Sequence, residues 1–453
     1  MTTEAAGANA AGLGLFGPLE TTAEMAEATA DATWIQNLLD FLGALALAEA
    51  EVGLVPTEAA REIRRAATAE GLEPEQLGRE SRASGTPVLP LVQALEGRLP
   101  EGVRDFVHWG ATSQDAIDTA LMLVLARALP LIQSDMRRAE LAAAALARRH
   151  RRTLQAARTL LQQAVPTTFG LRAAQWLVEL KESHDELARV QESCLALQLG
   201  GAGGTLAALG EQGLRVQELM AAQLRLHPPT LPWHTNRIRT ARLAAALGLV
   251  VGAAAKVAQD VVLLSQTEVA EVREGTAGAG GSSAMPQKHN PARSVGIVAR
   301  QHRAVAMVSL VLSAMPQPLE RAAGEWQAEW ASFSELLRLA GGAASEVALL
   351  LEGLEVDPTR MRANLALTRG AVMSERLALR LAAGRGRAGA RALVTEALSR
   401  SAQAGTDLQA ELAQVPGLEG ELRGETLDDL FSPEGYLGSS ERLIDRALTA
   451  VGE

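Results

Sequence analysis

Residues 275–290 read GTAGAGGSSAMPQKHN. The stretch holds four glycines, two adjacent serines, a lysine and an asparagine. It interrupts two long segments of helical pattern, residues 235–271 and 291–314. The chain has 43 basic residues, of which only Lys181, Lys256 and Lys288 are lysines. A lysine kept in a glycine-rich loop of such a chain points to a chemical requirement. The glycines give the backbone shapes that other residues resist, as a lid needs. Asn290 followed by Pro291 predicts a helix start, with Asn as cap and Pro at the first helical position. The loop is therefore expected to deliver Ser282, Ser283 and Lys288 beside a positive helix N-terminus, which is an anion site. The Walker and dinucleotide spacings fail, because Lys288 has neither the preceding Gly nor the following Ser/Thr. A linker with incidental serines is the competing reading, and it leaves the lysine unexplained.

The flanking sequence sets the fold class. Long helical patterns also cover 113–147, 168–199 and 327–354, several of them longer than the usual 8–20 residues. Long helices with few breakers predict a bundle. Aromatic residues make up only 3% of the 453 residues. An Ala-, Leu- and Val-based core fits an all-α protein, and no alternating strand pattern or short repeat is found. Asp357 before Pro358 predicts a fresh helix start. Three parts follow: an N-terminal helical domain (1–111), a central long-helix bundle carrying the glycine loop (112–355), and a C-terminal helical domain (356–453). Residues 1–20 read as a loose leader.

Composition excludes several classes. A formal net charge of −10 and the lack of a dense basic run argue against nucleic acid as a partner. The apolar run 243–255 is shorter than the ~20 residues of a membrane span, so it reads as a buried helix and no membrane partner is expected. The single cysteine, Cys194, excludes a disulfide framework and fits a reducing cytoplasm. The first residues lack a basic segment followed by an apolar one, so no signal peptide is read and the expected location is cytoplasmic. No histidine shows metal-ligand spacing, and neither metal nor cofactor is expected. His234 in PWHTNR is the one histidine outside the motifs that merits a test.

Two more loops carry polar chemistry. Residues 108–120, HWGATSQDAIDTA, place Thr112 and Ser113 just before a long helix, with Asp115 in its first turn. Plain capping explains Ser113 but not His108, Gly110 and Thr112 together. A substrate carboxylate held by these hydroxyls and by free backbone N–H groups is the functional reading. Residues 158–170, RTLLQQAVPTTFG, read alone as a polar interruption before another helix.

Taken together, the three loops resemble the fumarase/aspartase superfamily. GSSAMPQKHNP (281–291) resembles its signature loop, and the other two its remaining shared regions. Within it the chain is most similar to the bacterial 3-carboxy-cis,cis-muconate cycloisomerases. The shared stretches are VHWGATSQD (107–115), LLQQAVPTTFG (160–170), LGGAGGTLAALG (199–210), LPWHTNRIR (231–239) and ERAAGEWQAEW (320–330), and the likeness spans essentially the whole chain. The resemblance implies a three-domain all-α fold and a homotetramer whose active sites are shared between subunits. It implies a small di- or tricarboxylate substrate and proton transfer alpha to a carboxylate. By resemblance Ser282 is the catalytic base, while Lys288 and Asn290 stabilise the aci-carboxylate dianion. Thr112, Ser113 and Gln162 bind substrate carboxylates, and Arg321 is a further clamp. His108, Thr159, Ser283 and Met285 belong to the same substrate-binding set.

Superfamily members that expel an amine or hydroxide carry a histidine after RT in the third loop. Here that position is Leu160. A poor leaving group needs a general acid, whereas a carboxylate or another stable anion does not. The residues therefore leave two activities open: lactone formation by carboxylate addition, and a fumarate-forming elimination that releases a stable anion such as nitrite from a substituted succinate. An adenylosuccinate-type lyase or a non-catalytic scaffold fits less well. Leu319, His289 and Gly43 depart from the cycloisomerase pattern, which usually has a polar or acidic residue, arginine and glutamate at these places.

Overall fold

The structure, a computed structural model, describes residues 14–275, 280–281, 285–422 and 424–452. Ser282 and Ser283 lie outside the described residues. The chain packs as two compact units. Unit 1 comprises residues 1–136, 183–255 and 296–346, and unit 2 comprises residues 137–182, 256–295 and 347–453. The fold is all-α, as the sequence predicts. The principal helices, in chain order, are α1 (Asp31–Glu51), α2 (Thr57–Ala66), α3 (Ser113–Arg149), α4 (Phe169–Cys194), α5 (Gly213–Leu224), α6 (Ile238–Leu264), α7 (Ala292–Ser313), α8 (Glu325–Glu352), α9 (Pro358–Ala366) and α10 (Ser374–Ala404). Every unit boundary falls inside one of the five long helices α3, α4, α6, α7 and α8.

The core of unit 1 is aliphatic. Leu39, Leu42 and Leu45 of α1, Ile63 of α2, Val124 and Leu125 of α3 and Leu247 of α6 are essentially inaccessible. Side chains at spacings of three and four line up on one helical face, and burying that face stabilises each helix more than propensity does. In unit 2 a C-terminal cluster joins Leu377 and Leu381 of α10 to Leu408, Leu412 and Leu430, with Leu154 and Ala156 packed in. Asp357 caps α9 by accepting from the Arg360 N–H at 2.9 Å, with Pro358 at the first position.

Three sequence expectations need correction. Residues 154–168 are an antiparallel hairpin, β1 (Leu154–Thr159) with β2 (Gln162–Thr168), and not a polar interruption. A second short pair joins β3 (Val272–Glu274) to β4 (Leu354–Val356). The hairpin residues do not alternate apolar and polar, so the period-two signal was absent. The end of the supposed leader is also fixed: Arg300 donates to the carbonyls of Leu19 and Glu20, the latter at 2.9 Å. Finally, α6 stops at Leu264 and not near residue 271.

Two helices, Ile238–Leu264 and Ala292–Ser313, are long and apolar enough to cross a membrane by length and composition. Both carry charged residues along their length, among them Arg242, Lys256 and Asp260 on the first and Arg293, Arg300 and Arg303 on the second.

Candidate active site

In unit 1 the residues around the start of α3 converge. Asp115 is fully buried. Its carboxylate accepts the backbone N–H groups of Thr112 at 3.0 Å and of Gly200 and Gly201 at 2.9 Å each. Gln198 Nε2 adds a bond at 3.3 Å, and His234 Nε2 lies 2.7 Å away. The bond back to Thr112 is the reciprocal arm of a helix cap. A buried carboxylate that accepts this many hydrogen bonds is held in one position. The expectation of free backbone N–H groups in the 108–120 loop is thus corrected in part, because that of Thr112 already serves Asp115.

That carboxylate ties the loop at 108–113 to the glycine-rich loop at 198–204. Gly110 and Gly201 both have positive φ, 67° and 70°. A Cβ on Gly201 would lie 2.7 Å from the Gly110 carbonyl oxygen, so the two loops approach because residue 201 is glycine, while a Cβ on Gly110 would lie 2.8 Å from Leu209. His108 also sits in the left-handed region, at φ 58°, where a non-glycine residue is strained. Its Nε2 is buried and has no hydrogen-bond partner among the described residues. Burial, opposed by the Asp115 charge, pulls the imidazole pKa below its usual value and keeps the ring neutral.

Arg321 reaches the same place. It donates to the Ala202 carbonyl at 3.0 Å and approaches the Gly201 carbonyl at 3.4 Å and Gln114 Oε1 at 3.5 Å. The structure therefore brings His108, Thr112, Ser113 and Arg321 together in unit 1. Leu319, two residues before Arg321, has φ 54° and is 84% exposed.

Beneath this surface runs an ion-pair network with almost no solvent access. Arg237 makes a fork to Asp118 at 2.8 and 3.1 Å and another to Glu329 at 2.6 and 3.1 Å. Trp326 Nε1 donates to Asp118 at 3.1 Å, and Gln114 Nε2 at 3.2 Å. Burial opposes charge on Arg237, but Asp118 and Glu329 outweigh it and hold the guanidinium pKa above its usual range. Burial also pushes Glu329 up, against the pull of Arg237. The network fixes α3, α6 and α8 around the loop that carries His108 to Ser113.

The other described candidate residues lie in unit 2. Thr159 and Gln162 face each other as the last pair of the β1–β2 hairpin. Between them Leu160 and Leu161 form the two-residue tip, both with positive φ, and Leu160 is 97% exposed. Arg158, one residue before this pair, is tied to the fully buried Glu271 at 2.6 and 3.1 Å. Glu271 also accepts from Gln155 at 2.7 Å and Asn364 at 2.8 Å, so the base of the hairpin is firmly held.

The glycine loop is presented differently. Met285, Lys288 and His289 are exposed and Asn290 is half-buried. The loop is closed by backbone bonds, Asn290 N–H to Gly280 O at 2.8 Å and Lys288 N–H to Met285 O at 3.0 Å. Helix α7 begins at Ala292. Its first N–H groups do not wait for a ligand. Those of Arg293 and Ser294 donate to the Glu274 carboxylate at 3.1 and 2.9 Å, and the Ser294 hydroxyl adds a bond at 2.7 Å. The expected anion site at this helix end is real but carries an internal anion. A cavity of 1040 Å³ adjoins the loop, lined among others by Arg273, Glu274, His289, Asn290, Glu355 and Asp357. Its carboxylates outnumber its arginine, which makes it a poor receptacle for a polyanion. Among the described residues no group of His, Cys, Asp and Glu could hold a metal.

Residues 20–301 match the lyase family model, and residues 370–447 match the adenylosuccinate lyase C-terminus. The chain belongs to the fumarase/aspartase superfamily of lyases. It is 40% identical over 441 residues to a 3-carboxy-cis,cis-muconate cycloisomerase of Bradyrhizobium diazoefficiens, covering 96% of this chain and 98% of the relative. A nitrosuccinate lyase of Streptomyces davaonensis is 42% identical over 452 residues, covering 96% and 94%. The crystal structure of the 3-carboxy-cis,cis-muconate lactonizing enzyme from Pseudomonas putida superposes with a TM-score of 0.90 at 38% identity, over 97% of this chain and 99% of that one. The chain is accordingly an enzyme of this superfamily. Asp115 was legible from sequence in the first turn of α3, but its role in orienting the site loops was missed, and Glu271 and Glu274 were missed altogether. Only Asp115 had a local signal, the Thr-x-x-Asp capping pattern.

Proposed function

We propose that this enzyme is a cycloisomerase of the 3-carboxy-cis,cis-muconate type. In the lactonising direction a substrate carboxylate oxygen forms the new C–O bond. The double-bond electrons move toward the carbon alpha to a second carboxylate, giving an aci-carboxylate dianion. The Ser282 hydroxyl then delivers a proton to that carbon, and in reverse the Ser282 alkoxide removes it. A serine needs a positive neighbour for this. Since Glu274 engages the N-terminus of α7, the activation falls to Lys288. Lys288 and the Asn290 amide stabilise the dianion where its charge develops. Thr112, Ser113, Thr159, Gln162 and Arg321 hold the carboxylates, and His108, Ser283 and Met285 complete the binding wall.

Leu160 carries the choice of a reaction with a stable anion, and the named relatives carry the choice of lactonisation within it. At the exposed hairpin tip, flanked by Thr159 and Gln162, Leu160 supplies no proton. A carboxylate adding or leaving needs none. Several relatives bear the cycloisomerase name, in support of this choice.

The same proposal includes a homotetramer with shared sites and a cytoplasmic location. Along α6 the exposed and half-buried positions Ile238, Arg242, Ala245, Leu249, Gly252, Lys256, Gln259 and Leu263 recur in steps of three and four. Along α7, Val295, Val305 and Leu312 are each about half exposed. Such seams suit helix packing against other copies of the chain. The division into parts at 1–111, 112–355 and 356–453 is proposed with it.

The test is an ultraviolet assay of purified enzyme with 3-carboxy-cis,cis-muconate and, in parallel, nitrosuccinate. Loss of the diene absorbance, abolished in Ser282→Ala, is the expected result. Fumarate and nitrite in place of lactone would move the assignment to the nitrosuccinate-lyase relative's activity. Undiminished turnover in Ser282→Ala would remove that serine as the base.

A further inference from the structure

We infer that unit 1 carries a second, separate binding site for a small dianion such as phosphate or a dicarboxylate. The site is a half-open cavity of 470 Å³ bordered by α1, α2, α3 and the end of α5, with its three arginines at the exposed rim. Its polar lining is Arg64, Arg127, Arg225, Asp40, Asn37 and Gln223, over an apolar floor of Ala44, Leu123 and Ala126.

Charge is the first argument. Three guanidinium groups face one carboxylate. Asp40 lies 3.4 Å from Arg64 and 4.0 Å from Arg127, and neither contact is a bidentate fork. Asp40 also accepts from Gln36 at 3.1 Å. Arg225 has no ion-pair partner among the described residues and sits at the C-cap of α5 with φ 55°. Two positive charges are therefore left over in a concave site, an arrangement that attracts anions. Planar guanidinium groups match the paired oxygens of phosphate or carboxylate.

The second argument is Asn37. It lines the cavity and is 1% exposed, yet neither its amide nitrogen nor its oxygen has a partner among the described residues. A buried side-chain amide with nothing to bond is costly, and a bound ligand or its water would satisfy it.

The third is Gly43. Glycine in mid-helix is destabilising relative to alanine. Here it has a purpose, because a Cβ at this position would lie 2.6 Å from Arg64 Cδ. The bare backbone lets the Arg64 stem lie across α1 and turn its guanidinium toward Asp40 and the cavity. The site stands apart from the catalytic assignment, since none of its residues belongs to the motifs that carry it.

The test is titration calorimetry of the full-length enzyme with inorganic phosphate and, separately, succinate. It is run on wild type, Lys288→Ala, Arg127→Ala, Arg64→Ala and Gly43→Ala. Saturable binding of one or both ligands is expected, retained in Lys288→Ala, where the proposed catalytic site is disabled. Arg127→Ala and Arg64→Ala should weaken it about tenfold or more. Gly43→Ala should weaken it too, by displacing Arg64 without removing a charge. Phosphate preferred over succinate assigns an inorganic or phosphoryl ligand, and the reverse order a dicarboxylate. No saturable binding, or binding lost in Lys288→Ala and unchanged in Arg127→Ala, would overturn the site. Should Arg64→Ala fail to fold, Arg127→Ala alone decides, because Arg127 is half exposed and makes only one 4.0 Å ion-pair contact.

Discussion

The approach to α3 and the glycine loop before α7 are both helix entrances rich in glycine and hydroxyl groups, yet they are built in opposite ways. At α3 the buried Asp115 gathers three backbone N–H groups and two side chains, and an Arg237–Asp118–Glu329 network lies behind it. At α7 the described loop residues are mostly exposed and are tied by backbone bonds such as Asn290 N–H to Gly280 O, while Glu274 caps the helix from β3. The first entrance is fixed before any substrate arrives. The second exposes Lys288. Binding groups belong on the rigid side, and a proton-transferring loop can tolerate the exposed one.

The largest effect should come from breaking the rigid side. Arg237→Met leaves Asp118 and Glu329 buried without their cation. A buried pair stripped of one partner loses about 3–5 kcal/mol. Chemical denaturation should show that loss, and turnover should fall with it. If Arg237→Met unfolds at the wild-type midpoint, the network is not what holds this entrance.

Lys288→Met should do the reverse. Removing an exposed loop cation leaves stability within about 0.5 kcal/mol. Turnover should drop about 10²–10³-fold, as when one transition-state donor is lost. Steady-state kinetics beside a denaturation curve separates the two mutants. A Lys288→Met enzyme as active as wild type would dissolve the contrast from the other side.

How far the sequence disclosed this contrast depends on the range of the interactions. Helix α7 was legible to within a residue or so at each end, because its signals are local: Asn-Pro before it and an apolar pattern along it. The Asp357 cap of α9 was legible for the same reason. The Arg237 network was not, since its partners lie 119 and 92 residues away. Nor was Glu274, whose role depends on β3 bringing it to Arg293 and Ser294. The hairpin at 154–168 was hidden because Leu160 and Leu161 carry none of the residue preferences of a two-residue turn. The site motifs could be read by type, but which N–H groups were already occupied could not.

A carboxylate in the same unit as Asp115 sharpens the comparison through pH. Glu49 of α1 is fully buried, and neither oxygen has a hydrogen-bond partner among the described residues. Burial raises its pKa from 4.5 to about 9. The folded protein therefore keeps this proton while the unfolded chain loses it above 4.5. Stability from this group is complete below 4.5 and declines as pH rises toward 9, by up to about 1.4 kcal/mol per unit. Glu49→Gln cannot titrate, so its stability should decline less than that of wild type between pH 5 and pH 8 in urea unfolding. Parallel declines would show that Glu49 finds donors and resembles Asp115 after all.

The smallest effect is expected at the hairpin tip. Leu160 and Leu161 have φ values of 51° and 64°, as a type I′ turn requires at both central positions. Leucine is strained there by roughly 1–2 kcal/mol per residue relative to an unstrained conformation, and both side chains are exposed. No packing within the described chain repays that strain, which makes the tip a place where stability is given up for function. Replacing the pair by Asn-Gly, whose φ preferences match, should stabilise the enzyme by about 1 kcal/mol. If the leucines form part of the substrate wall between Thr159 and Gln162, the same change should raise KM while the protein melts later. A variant that is no more stable than wild type would mean the leucines are held by contacts in the assembled enzyme, placing this tip with the supported entrance at α3 and not with the exposed loop.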